Sequence, residues 1–139
     1  MVSRVFSAGL SGIDGYIVTV ECFLSGGLPR LDVVGLPTGA VSEAGERVRA
    51  AAKACAFDWP VSRLTVNLAP ADTKKAGTAY DLPLLLSILA AAGEIDAPPD
   101  NALFFGELSL TGELRPVCGA LSMALAARDV GFKTVFVPA

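Results

Sequence analysis

Lys74 and Lys75 stand side by side in a polar run from Pro70 to Ala79, with the hydroxyls of Thr73 and Thr78 close by. A loop of this kind ahead of a helix can offer ammonium groups and free backbone N–H groups to a phosphate. Arg47, Arg49 and Lys53 recur along a helical stretch and add cations, although Glu43 and Glu46 share that side. The chemistry these residues support is contact with a nucleic-acid backbone that is independent of sequence and weakened by salt. The plainer alternative is a solvated loop and a mixed-charge helix face, and the net charge of -3 favours weak binding by a single copy.

Other chemistries are poorly served. There is no histidine, which removes Ser-His-Asp and Cys-His catalysis and the usual zinc sites. Cys22, Cys55 and Cys118 are far apart, contain no C-x-x-C, and read as buried thiols in a reducing cytoplasm. Asp72, Asp81, Glu107 and Glu113 could donate oxygen to a metal, but no EF-hand-type loop holds them. Asp81 reads more simply as a helix cap and Glu113 as part of a hairpin tip. No G-x-x-x-x-G-K-[ST] is present, so no P-loop binds ATP here. Trp59, before Pro60, reads as a packing plug.

The elements that must position these groups follow from periodicity. Residues 2–8 and 13–24 are rich in Val, Ile, Phe, Tyr and Thr, and Val18, Val20 and Cys22 alternate with Ile17, Thr19 and Glu21. They predict an opening strand pair joined at Gly9–Gly12. A short strand at Leu31–Val34 precedes a helix from Thr38, as cap, to about Cys55, whose inner side is Val41, Ala44, Val48, Ala51, Ala52 and Cys55. Leu64, Val66 and Leu68 mark another strand. Asp81 caps a helix that is apolar all round from Leu82 to Ala92, hence buried, and Gly93 ends it. A strand at Leu103–Leu108 turns through Leu110–Glu113 into Leu114–Val117. A third helix, Gly119–Val130, has Leu121, Leu125 and Ala126 on one side, and Thr134–Val137 is a last strand.

The chain has 139 residues, 53% hydrophobic and 18% charged, which excludes intrinsic disorder. A chain this long buries roughly 70% of its unfolded surface. The N-terminus lacks the apolar core of a signal peptide, and the run at Leu82–Ala92 is too short to span a bilayer. The expected location is the cytoplasm, with no membrane contact.

Two sets of motifs carry a resemblance. Gly106-Glu107-Leu108-Ser109-Leu110-Thr111-Gly112-Glu113-Leu114-Arg115-Pro116-Val117, then Cys118-Gly119, a helix and Val130–Pro138, resembles the end of the protease domain of Lon-type proteases. Lys75-Ala76-Gly77-Thr78-Ala79 is similar to the Lon loop that holds the nucleophilic serine. Val34-Gly35-Leu36-Pro37, Glu46-Arg47-Val48-Arg49-Ala50-Ala51, Val66-Asn67-Leu68-Ala69-Pro70-Ala71-Asp72, Lys75-x-Gly77 and Tyr80-Asp81-Leu82-Pro83 look like the N-terminal domain of the magnesium-chelatase-like competence ATPases of the ComM/YifB type. That second similarity covers essentially all of the chain.

The resemblance implies an α+β fold of the ribosomal protein S5 domain 2-like, Lon-protease-like kind. It implies a single domain over residues 1–139, cut from a longer AAA+ ATPase. The AAA+ module would bind ATP and Mg²⁺, and this domain would carry no cofactor. The partners it implies are that module and sister subunits in a homo-hexamer, while the residue types alone offer Lys74, Lys75 and Arg47 for a contact with DNA. Natural transformation and DNA branch migration are the expected processes. By position, the Lon nucleophile falls on Ala79 and the lysine base on Leu121, neither of which can react. Thr78, Ser122 and Lys133 are poor substitutes. The expectation is a non-catalytic accessory domain, weighed against a Ser/Lys peptidase with displaced residues and a pure oligomerisation module.

Overall fold

The computed structural model describes residues 2–11, 13–70 and 78–138, apart from the side chain of Thr38. Lys74 and Lys75 therefore lie outside the described residues, as does Asp72.

β1 (Val2–Ser11) and β2 (Asp14–Ser25) form an antiparallel pair whose register runs from Val2 opposite Phe23 to Ser11 opposite Asp14. The pair is longer than the glycines suggest: Gly9 lies inside β1, opposite Tyr16, and the ladder continues to Ser11 opposite Asp14. Gly9 is there for space. A Cβ on it would overlap the Tyr80 hydroxyl and come within 2.9 Å of the Tyr16 ring.

β3 (Arg30–Val34) runs parallel to β4 (Arg63–Ala69), with the helix α1 (Thr38–Ala54) between them in the chain. β4 pairs antiparallel with β2. On the far side, β1 pairs parallel with β5 (Ala102–Phe104), which pairs parallel with β8 (Thr134–Phe136). The resulting sheet has the order β3-β4-β2-β1-β5-β8. Parallel and antiparallel ladders mixed with helices make this an α+β architecture.

The alternation in β2 and β4 holds as expected. Val18, Val20, Cys22, Leu64, Val66 and Leu68 are all buried, and they meet α1 through Val48, Ala51 and Ala52 and the helix α2 (Asp81–Ala91) through Leu84, Ile88 and Leu89. α2 is the buried helix expected from its uniform apolarity. A second cluster, Ala8, Leu103, Phe105, Met123 and Ala127, packs under the helix α3 (Ala120–Val130). Gly15 allows that docking, because a Cβ there would overlap the Ser122 carbonyl.

Three expectations need correction. The strand at Leu103–Leu108 is split: β5 ends at Phe104, and a two-residue strand β6 (Glu107–Leu108) pairs with β7 (Leu114–Arg115) in a separate hairpin. The cause is a change of backbone partner, since Gly106 N–H donates to Ala79 O at 2.9 Å and Leu82 N–H donates to Gly106 O at 3.1 Å. The buried side of α3 is Met123 and Ala127, not Leu121 and Leu125, which are 73% and 40% exposed. The thiols are not all buried either: Cys22 is, but Cys55 and Cys118 are exposed.

Candidate functional site

The segment that enters α2 is held on two sides. Its backbone is bonded to Gly106 as above. Its first helical side chain, Asp81, is only 2% exposed. Asp81 is not the N-cap: Tyr80 takes that place, and there is no side-chain cap bond. Its carboxylate instead accepts Arg47 Nε at 2.6 Å and a terminal Arg47 nitrogen at 3.0 Å, and it accepts the Leu108 N–H at 3.0 Å.

This corrects the placing of Arg47 on the solvated face of α1. Arg47 turns inward, with a side chain 21% exposed, because a carboxylate buried at the start of an apolar helix requires a charged partner. Burial pushes the Asp81 carboxyl above the usual aspartate range, and the bonds from Arg47 and Leu108 partly offset that. The hydrogen bond to Asp81 in turn raises the Arg47 guanidinium above its ordinary value.

Beside this lock opens a groove of about 500 Å³. Thr78, Ala79 and Tyr80 line it from the approach to α2, and Gly9 and Leu10 from the end of β1. Glu107, Pro116, Val117 and Cys118 line it from the hairpin and the segment after it, and Met123 from α3. Gly119 (φ 82°) packs against Leu10, which keeps the start of α3 close to this wall. A smaller cavity of about 150 Å³ shares Thr78 and Tyr80 with the groove and is also lined by Glu43, Arg47 and Asp81. The Tyr80 phenol is pushed well above its ordinary value, first by burial and then by its neighbour Tyr16, so it stays protonated as a neutral wall.

The groove brings together Ala79, Thr78 and Cys118, but not Leu121. The position matching the Lon nucleophile presents a methyl group, and the position matching its base points to solvent. Ser122 has its backbone against Gly15 of β2. No three His, Cys, Asp or Glu side chains gather as a metal site among the described residues. Asp81 is occupied by Arg47 and Leu108, and Glu107 lies 4.0 Å from Arg115. No helix among the described residues is long and apolar enough to cross a membrane.

Sequence reasoning missed the Arg47–Asp81 pair, although its signal was present. Asp81 is the sole acid in a helix otherwise apolar all round, and such a residue needs a partner from outside the helix.

An α+β domain with an open groove at the start of its buried helix is the class that this architecture defines. A family description, subunit ChlI of Mg-chelatase, matches residues 20–139, and the chain belongs to that family. It is 43% identical over 139 residues to an uncharacterized protein of Mycobacterium tuberculosis, covering 99% of this chain and 28% of that protein. It is 45% identical over 125 residues to the competence protein ComM of Haemophilus influenzae, covering 89% of this chain and 25% of that protein. The uncharacterized protein YifB of Escherichia coli is 42% identical over 135 residues, covering 96% of this chain and 27% of its own length. The chain thus spans about a quarter of the length of these curated relatives. A more distant likeness, 37% over 78 residues, is to a mitochondrial Lon protease homolog of Caenorhabditis briggsae, covering 56% of this chain and 8% of that protein.

Proposed function

We propose that residues 1–139 form a non-catalytic accessory domain of a competence-related AAA+ ATPase, with the ribosomal protein S5 domain 2-like fold shared with Lon. In this reading the domain organises subunits, in a homo-hexamer, and helps the machine handle DNA during branch migration in the cytoplasm. ATP and Mg²⁺ act in the AAA+ module and not in this domain. Lys74 and Lys75 contact DNA without regard to sequence, and Arg47 acts from within the fold, because its guanidinium is engaged by Asp81.

The observation that supports the reading best is the groove of about 500 Å³ that has Ala79 where the Lon resemblance expects a nucleophile. Serine–lysine proteolysis needs a hydroxyl and a base within hydrogen-bond reach. Ala79 and Leu121 supply neither.

A covalent serine-hydrolase probe tests this. The unmodified chain is expected to remain unlabelled under conditions that label an active Lon protease domain. Stoichiometric labelling of the unmodified chain, or cleavage of an unfolded protein by it, would overturn the reading in favour of a displaced Ser/Lys peptidase.

A further inference from the structure

Arg30 of β3 and Arg63 of β4 are direct register partners in the parallel ladder. Like charges placed opposite one another destabilise a sheet. Here a single carboxylate bridges them: Asp32 meets Arg30 Nε at 2.8 Å and Arg63 at 3.6 Å. Two guanidinium groups against one carboxylate leave an unbalanced positive charge, and both arginines remain more than half exposed.

At the same end of the fold, Arg49 of α1 lies over the Trp59 ring, 5.4 Å from its centroid. A groove of about 230 Å³ runs between these groups, lined by Arg30, Arg49, Trp59, Pro29, Pro60 and Ser62, with no acidic side chain among its lining residues. Val61 on its wall is 84% exposed. Lys53 follows one turn along α1 and is also exposed. Four acids stand near these cations: Asp32 is held by Arg30 and Arg63, Glu46 lines a neighbouring cavity with Arg49, Asp58 directly precedes Trp59, and the Glu94 carboxylate accepts the Asp58 N–H. Trp59 packs only partly against the core, so the packing plug expected from sequence also has an outward side.

We propose that this groove binds single-stranded nucleic acid without sequence preference. A flat indole capped by a guanidinium is a stacking platform, since bases stack both on aromatic rings and on arginine planes. Arg30 lines the groove and Arg63 is its ladder partner, and the planar fork of arginine suits phosphate oxygens. The inference rests on the reading that the domain helps to handle DNA, and it assigns the contact to residues other than Lys74 and Lys75.

The chain has one tryptophan, so its fluorescence reports on this groove alone. At low salt, an oligothymidylate is expected to quench Trp59 saturably, and an abasic oligomer of equal length to quench it far less. Arg49→Glu and Arg30→Glu, each checked for native circular dichroism, are expected to weaken the apparent affinity about ten-fold or more, and added salt to weaken it further. Equal affinity for the abasic oligomer, or unchanged affinity in both variants, would overturn the proposal. So would equal quenching by polyglutamate, which would mark an acidic-peptide site instead. Fluorescence anisotropy of a labelled oligonucleotide separates the two readings. Binding that Lys74→Glu/Lys75→Glu abolishes and the groove variants leave intact would overturn the groove and keep the DNA reading. No anisotropy change with any single-stranded or forked DNA would remove both.

Discussion

Arg47 of α1 and Asp81 of α2, 34 residues apart, form a two-point ion pair with contacts of 2.6 and 3.0 Å, and the same carboxylate accepts the Leu108 N–H at 3.0 Å. One carboxylate thus ties together α1, α2 and the β6–β7 hairpin. The pair lines the smaller cavity, which shares Thr78 and Tyr80 with the groove that Ala79 also lines. Its role is positioning, and its energetics lead to the first prediction.

Replacing Arg47 with Met keeps much of the apolar stem but leaves Asp81 buried without its counter-charge. Such a loss costs about 3–5 kcal/mol at neutral pH, to be measured by urea unfolding. The cost depends on pH. Burial already raises the folded-state pKa of Asp81 above its unfolded value of about 3.9, and removing Arg47 raises it further. The folded state then holds a proton that the unfolded state releases, so stability falls as pH rises from the unfolded value through the folded one. The Arg47→Met penalty is therefore expected to shrink on acidification toward pH ~4. In an Asp81→Asn background the Arg47→Met effect should lose this pH dependence. A penalty as large at low pH as at neutrality would show that Asp81 is not the group responsible.

Two glycines hold the layers at contact distance. Gly15→Ala drives a methyl into the Ser122 carbonyl of α3, and Gly9→Ala drives one into Tyr80 and Tyr16. Backbone and rings cannot move aside as a flexible side-chain tip would. Each variant is expected to lose about 1–3 kcal/mol, read as a lowered thermal midpoint. Gly26→Ala, with open space around its Cβ, provides the contrast and should stay close to the parent.

What could be read from the sequence was whatever one local period determines. The alternation of Val18, Val20 and Cys22 placed the inner face of β2, and the unbroken apolarity of Leu82–Ala92 made α2 the buried helix. What could not be read depended on partners distant in the chain. Asp81 has the composition and position of a cap, and it is a buried ion because Arg47 reaches it from another helix. The strand at Leu103–Leu108 looked continuous because its break comes from a bond to Ala79, which no local pattern records. The groove was legible only through resemblance, which aligned Ala79 and Leu121. The structure puts the first on the groove and turns the second to solvent. The cationic groove at Trp59 went unread because Arg30, Arg49 and Trp59 belong to separate segments.

Thiol reactivity should divide the three cysteines. Cys55 and Cys118 are exposed, whereas burial pushes the Cys22 thiol up to about 11. The thiolate is the reactive form, so Cys22 is inert at neutral pH both by access and by ionisation. A chromogenic disulfide reagent is expected to find two fast thiols in the native chain and a third only on unfolding. Three fast thiols in the native state would contradict the burial of Cys22 between β2 and α2.

The last prediction concerns the side on which α3 docks. Sequence spacing groups Leu121, Leu125 and Ala126, whereas the structure buries Met123 and Ala127 and leaves Leu121 73% exposed. The two arrangements differ by a rotation of the helix, so paired substitutions distinguish them. Met123→Ala opens a cavity in the cluster with Ala8, Leu103 and Phe105 and should cost about 2–5 kcal/mol. Leu121→Lys adds a charge where solvent already reaches, and should stay within about 0.5 kcal/mol of the parent. If Leu121→Lys proved the costlier of the two in chemical denaturation, α3 would have to be rotated. Leu121 would then face inward toward the groove, although a leucine there would still supply no base.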